Sequence, residues 1–215
     1  MPSSEFTIDA VKSRFGLTID ETPGTFAAWP PVTPGALLTE TLAETLPLAL
    51  AISTDKARSE LVVVPVLLEA RRRAGRPVSL FSGIDFPVDA AQGLTGVCDF
   101  LLSLSPEQLT VEAPAVVVVE AKNDNLKAGL AQCIAEMVAA RLFNERRGRE
   151  LPRVYGVVTT GSLWKFLSLE AGTVRLDPAE YHISDLARVV GTLVGMLQPA
   201  GDALGEPPAT SRELP

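Results

Sequence analysis

The sequence predicts an α/β fold, and three observations carry that expectation. Strand signals recur over 78–86, 96–103 and 115–122, separated by turns rich in Gly, Pro, Asp and Ser, at a spacing that suits a meander. A long helical period follows over 125–147, with Leu126, Leu130, Ile134, Met137 and Leu142 on its apolar side. Two further strands read from 153–160 and 163–169, joined by Gly161-Ser162.

Taken in chain order, residues 1–54 are broken by Pro23, Pro30, Pro31, Pro34 and Pro47, with Gly24 and Gly35 between them. This composition predicts an irregular arm around one short helix over 37–45. Residues 55–74 predict a helix, with Thr54 or Asp55 as its N-cap, arginines in its last turn and Gly75 at the C-cap position. Pro65 removes a backbone donor there, so it either kinks this helix or marks its true start. A closing helix is expected over 182–197, and the Pro- and Gly-rich tail 199–215 is expected to be disordered. The organisation expected is therefore the arm 1–54, one domain over 55–198, and the tail.

Composition narrows the chemistry. At 215 residues, 47% hydrophobic and 21% charged, the chain can bury a core without disulfides. Its apolar runs are all shorter than the roughly 20 residues that span a bilayer, and no secretory signal is visible at the N-terminus, so a cytoplasmic protein is expected. Cys98 and Cys133 lack metal-ligand spacing, and His182 is the sole histidine, which excludes His-rich zinc sites. There is no Walker loop, G-x-G-x-x-G or G-x-S-x-G. Catalysis, if present, falls to carboxylates, lysine or a hard metal. The net charge of −7 is concentrated in the flanks: residues 1–54 carry two basic and six acidic groups, whereas 55–160 carry thirteen of each.

Within the apolar run AVVVVEAK, Glu120 and Lys122 are two residues apart, so on a strand both leave the same face. Buried charges demand partners. The preceding strand signal carries Asp99 in GVCDFLLS, and pairing of the two strands sets Asp99 opposite Glu120. Two close carboxylates need a proton or a cation between them, and an oxygen-only pair suits Mg²⁺ or Mn²⁺. Lys122 beside such a pair offsets charge developing on a phosphate.

Asp99, then Glu120-Ala121-Lys122, then a helix with Gln132, resembles the PD-(D/E)XK nuclease superfamily, whose restriction-endonuclease-like core runs α-β-β-β-α-β and implies a mixed central sheet flanked by helices. The resemblance covers roughly 55–160. It implies that Asp99, Glu120 and the Ala121 carbonyl bind metal, that Lys122 is the catalytic lysine, and that Glu60 and Gln132 support the site. Here Asp99 follows Cys98 rather than proline, and Asp85 and Asp89 are rival carboxylates.

Plainer readings stand beside these. Glu120 and Lys122 also read as an ion pair at a strand end, Asp99 as a turn cap, and Glu60 as a solvated acid near a helix start. Gln132 shares a helical face with Glu136, and of the two Gln132 is the candidate. The arginines at 71–73, 76, 146, 147 and 149 read mainly as charges on helix ends. Trp164 reads as core rather than as a base-stacking residue, and Cys98 as a packing residue pointing away from Asp99.

The function expected is a Mg²⁺-dependent nuclease acting on nucleic acid, with DNA the expected substrate and a metal-activated water the nucleophile. Many members of the family act as dimers, and the strand over 163–169 is the candidate interface for a homodimer. The alternatives are a non-catalytic structural or nucleic-acid-binding module of the same fold, and an unrelated hydrolase of small phosphorylated substrates.

Overall fold

The structure, a computed structural model, describes residues 3–122 and 126–198. Its centre is one open, mixed sheet of eight strands in the order β1-β7-β6-β5-β4-β3-β2, with β8 paired to β6. The strands are β1 Thr18–Asp20, β2 Ser79–Asp85, β3 Val97–Ser103, β4 Ala115–Ala121, β5 Val154–Thr159, β6 Leu163–Glu170, β7 Thr173–Leu176 and β8 Tyr181–His182. Strands β2, β3 and β4 form the expected antiparallel meander, and β5 lies parallel to β4. A parallel neighbour requires a crossover. Helix α5, Leu126–Arg146, supplies it, and all seven residues of β4 are buried.

Helices cover both faces. Helix α5 and α1, Ile8–Phe15, pack on one face with Leu101, Val118 and Ile134. On the other face lie α2 (Ala36–Ile52), α4 (Val64–Arg73) and α6 (Leu186–Met196), packed on Phe100, Val119, Trp164 and Phe166. Among the described residues no helix is long and apolar enough to cross a membrane. The expectation of disorder over 199–215 lies outside the described residues.

The N-terminal segment is not the irregular arm its prolines predict. It holds α1, β1 and a 17-residue α2 that contains Pro47, and Phe6, Val11, Leu17, Phe26, Trp29 and Leu38 are core residues. Strand β1 pairs with β7 from the far end of the chain, a partner that local sequence does not reveal.

Pro65 lies in the first turn of α4, as one of the two expectations has it, yet the chain does not break there. The chain runs from α3, Asp55–Arg58, through a π turn over Ser59–Val63 into α4. The carbonyl of Leu61, four residues before Pro65, finds no amide there and instead accepts the Thr45 hydroxyl at 2.6 Å. The helix therefore continues at the cost of one widened turn.

Strand β6 corrects the expected interface. It lies inside the sheet between β5 and β7, with most of its side chains buried, so it offers no free face to a second copy. Trp164 is core, wholly buried with its indole N–H donated to the Gly161 carbonyl. The closing helix starts later than expected, because His182 belongs to β8 and its ring accepts the Ser184 amide before a short 3₁₀ turn leads into α6.

Candidate active site

The site lies where β4 emerges from the sheet beneath the first half of α5. Two contacts fix this geometry. At the far end of β4, the buried Asn144 side chain of α5 bonds both backbone groups of Ala115, at 2.8 and 2.7 Å, which pins the helix along the strand. At the near end, Gly129 lets the helix settle on Val158 and on the stem of Lys122.

Glu120 is 0% exposed. Lys122 Nζ lies 2.9 Å from its Oε2, at ion-pair distance but off the hydrogen-bonding axis; neither Glu120 oxygen has an aligned hydrogen bond among the described residues. The ammonium also donates to Gln132 Oε1 at 3.3 Å, and Gln132 Nε2 donates to Glu136 Oε1 at 3.1 Å. Glu136 is 2% exposed, and its Oε2 is likewise unpaired among the described residues.

Burial pushes the Glu120 carboxyl up to about 10; Glu136 and then Asp99 add to the shift and Lys122 opposes it. Glu136 is raised as well, chiefly by burial. Burial acts to lower Lys122, but the neighbouring carboxylates outweigh it and the ammonium is held above its ordinary value. One strand end thus carries a persistent cation beside two acids that resist ionising together.

Asp99 Oδ2 accepts the Ala121 amide at 2.8 Å, just beyond the ladder pair Phe100–Val119. Cys98 then lies on the α5 face with Leu101, although strict alternation from Phe100 assigns it to the opposite face. On β2, Gly83 lies between Ser82 and Ile84, the partners of Phe100 and Cys98, and has a φ of 60° that is open to glycine and strained for other residues. The expectation that Cys98 points away from the acidic cluster is therefore corrected. Its thiol faces Glu136, and burial holds its pKa far above the ordinary value.

The structure thus brings together Asp99, Glu120, Lys122 and Gln132, and adds Glu136, which sequence reasoning ranked below its helical neighbour. Its signal was there: Glu136 is one turn from Gln132 on an alanine-rich face, where a lone acid is conspicuous. Glu60 is not brought in. It is 58% exposed on the π turn and ion-paired with Lys56 at 2.7 Å. Asp89 is engaged elsewhere, capping a short turn at Gln92 and pairing with Arg146. Most helix-end arginines are structural: Arg71 binds the Val78 carbonyl, Arg72 and Arg73 bind Glu69, and Arg147 pairs with Glu112.

Among the described residues no three His, Cys, Asp or Glu side chains form a group able to hold a metal ion by themselves. No protein-family model, curated protein or solved structure matches this chain.

Proposed function

We propose that this chain is a metal-dependent nuclease with a restriction-endonuclease-like core, hydrolysing phosphodiester bonds in DNA. The observation that carries the reading is the crowding at the end of β4, where wholly buried Glu120 has Glu136 and Asp99 raising its pKa and an ammonium 2.9 Å away. Close buried carboxyls need a proton or a cation between them, and a site that gathers them is one a metal ion can complete. The order of parts supports the same core: α4, the meander β2-β3-β4, α5, and then β5 parallel to β4.

The donors fit a hard divalent cation. Asp99, Glu120 and the Ala121 carbonyl offer oxygen only, and Mg²⁺ or Mn²⁺ completes such a set with water and substrate phosphate. A cation there would polarise the scissile phosphate and acidify water. The chain's own contribution is positional and electrostatic. The Ala121 amide fixes Asp99, Gln132 and Glu136 aim Lys122, and its ammonium offsets charge developing on the phosphate oxygens. Glu60 has no part in this scheme.

The second reading, a non-catalytic module of the same fold, is favoured by the complete burial of Glu120 and by the net charge of −7, which opposes a polyanion. A calorimetric Mn²⁺ titration of the wild type, Asp99→Asn and Glu120→Gln, followed by a DNA-cleavage assay with Lys122→Ala, separates the two. Binding lost in both carboxylate variants and cleavage lost in Lys122→Ala supports the nuclease. Metal binding without cleavage of any nucleic acid favours the module. Absence of Mn²⁺ binding even with DNA present overturns the metal site.

A further inference from the structure

We propose a separate ligand site on the sheet face opposite Glu120: a cleft of about 380 Å³ over β5, β6, β7 and β1 that binds a small ligand joining a planar ring to a phosphate, such as a nucleoside 5′-monophosphate. The proposal does not rest on the nuclease reading, since the cleft touches none of Asp99, Glu120 or Lys122.

Strand register builds its floor. Tyr155 pairs with Ser168, Ser168 with Arg175, and Arg175 with Asp20, so four polar side chains form one row across four strands. Beside the row, Arg153 Nε and Arg175 Nη1 both donate to Glu170 Oε2, at 3.0 and 2.6 Å. One carboxylate oxygen thereby holds two guanidinium forks together while leaving most of their donors to other partners. Asp20 adds little to this balance: it is 3.8 Å from Arg175, and its Oδ1 already accepts the amide and hydroxyl of Thr22. Ser168, 3% exposed, lines the cleft and makes no side-chain hydrogen bond among the described residues.

The roof is aromatic and anchored. Phe26 and Trp29 lie 5.4 Å apart, and Trp29 meets Tyr155 edge-on at 5.7 Å. The Gly24 amide donates to buried Asp177, and Arg188 donates to the Trp29 carbonyl at 2.6 Å, so the segment is tied down at both ends of its arch. An ion-pair network on a sheet needs neither an aromatic roof nor an open cavity. Paired guanidiniums beside a free hydroxyl suit phosphate, an aromatic wall suits a ring, and the volume is in the range of small-ligand pockets.

Trp29 is a built-in reporter, because the only other tryptophan, Trp164, is wholly buried in the core. The full chain is titrated with adenosine 5′-monophosphate in chelator, by fluorescence and calorimetry, with adenosine and inorganic phosphate as separate arms. Saturable binding is expected, weakened at least tenfold by Arg153→Gln and by Arg175→Gln, and weaker in each single-moiety arm. Trp29→Phe should remove the fluorescence change and keep the heat, and Asp99→Asn and Lys122→Ala should bind as the wild type does. Arg153 is 40% exposed, so its variant carries the test if Arg175→Gln does not fold. No saturable binding at millimolar nucleotide, or binding unchanged in Arg153→Gln, overturns the site. Phosphate binding as tightly as the nucleotide overturns the ligand class.

Discussion

A Cβ at Gly129 would come within 3.1 Å of Lys122 Cγ and 2.7 Å of Val158 Cγ1, so the stem of the candidate catalytic lysine lies in space that only glycine leaves open. Val158 is short, branched and buried between strand and helix, and it cannot swing aside as a long side chain does. Alanine gains about 1 kcal/mol of helix propensity, but overpacking costs about 1–3 kcal/mol, and the clash with Val158 decides the sign. Gly129→Ala should therefore lower the urea midpoint by a small amount and lower DNA cleavage by a much larger factor. Cleavage that tracks stability alone would show that Lys122 does not depend on this contact.

The Thr45 hydroxyl serves the carbonyl that Pro65 leaves unpaired at Leu61. Thr45→Val should cost about 0.5–1.5 kcal/mol, the net worth of a typical hydrogen bond, since this one is only partly buried. In a Pro65→Ala background the helix regains an amide, and the same substitution should cost less. The coupling is read from a double-mutant cycle in urea, and additive effects would refute it.

Glu69 links α4 to the start of α2: its carboxylate, 3% exposed, accepts the Gly35 amide at 2.8 Å and pairs with Arg72 and Arg73. Burial acts to raise its pKa, but Arg72, the Gly35 amide and Arg73 together hold it below its usual 4.5. A depressed acid contributes stability above the unfolded-state pKa and loses it as pH falls through the folded value. Glu69→Gln should cost about 1–2 kcal/mol at pH 7, a figure discounted for the partial exposure of both arginines, and the gap to wild type should shrink below pH 4.5. Equilibrium unfolding across that range tests it.

Glu120 works in the opposite sense. Its folded value of about 10 is far above 4.5, so the native state keeps a proton that the unfolded chain releases. Its contribution is complete below pH 4.5 and is lost as pH rises toward 10, with a slope of no more than about 1.4 kcal/mol per pH unit. In chelator, wild-type stability should fall between pH 6 and 9, and Glu120→Gln should flatten that fall; parallel curves would place the titrating proton elsewhere.

Much of the candidate site was legible because strand and helix periodicities are local. AVVVVEAK announces a buried strand whose charges must find partners, and Asp99, Glu120 and Lys122 are brought together as that reading expects, with Gln132, which only the family resemblance implied, beside them. Glu136 was underrated because a helical wheel shows which residues share a face, not which face is sealed by the sheet. Cys98 was misplaced because strict alternation from Phe100 does not hold at this end of β3, where Cys98 packs with Leu101 instead. Glu60 matched a position in a pattern, yet the π turn before Pro65 leaves it among solvent and Lys56.

By itself the sequence determined the α/β class, the central meander, the long helix after it and the strand that carries Glu120, since each follows from side-chain period and turn chemistry over a few residues. Tertiary structure alone decided the pairing of Thr18–Asp20 with a strand some 150 residues later, the burial of Glu136 and the polar row from Tyr155 to Asp20. These depend on which distant segments meet, and a pairing between segments far apart in the chain leaves no periodic trace in either of them.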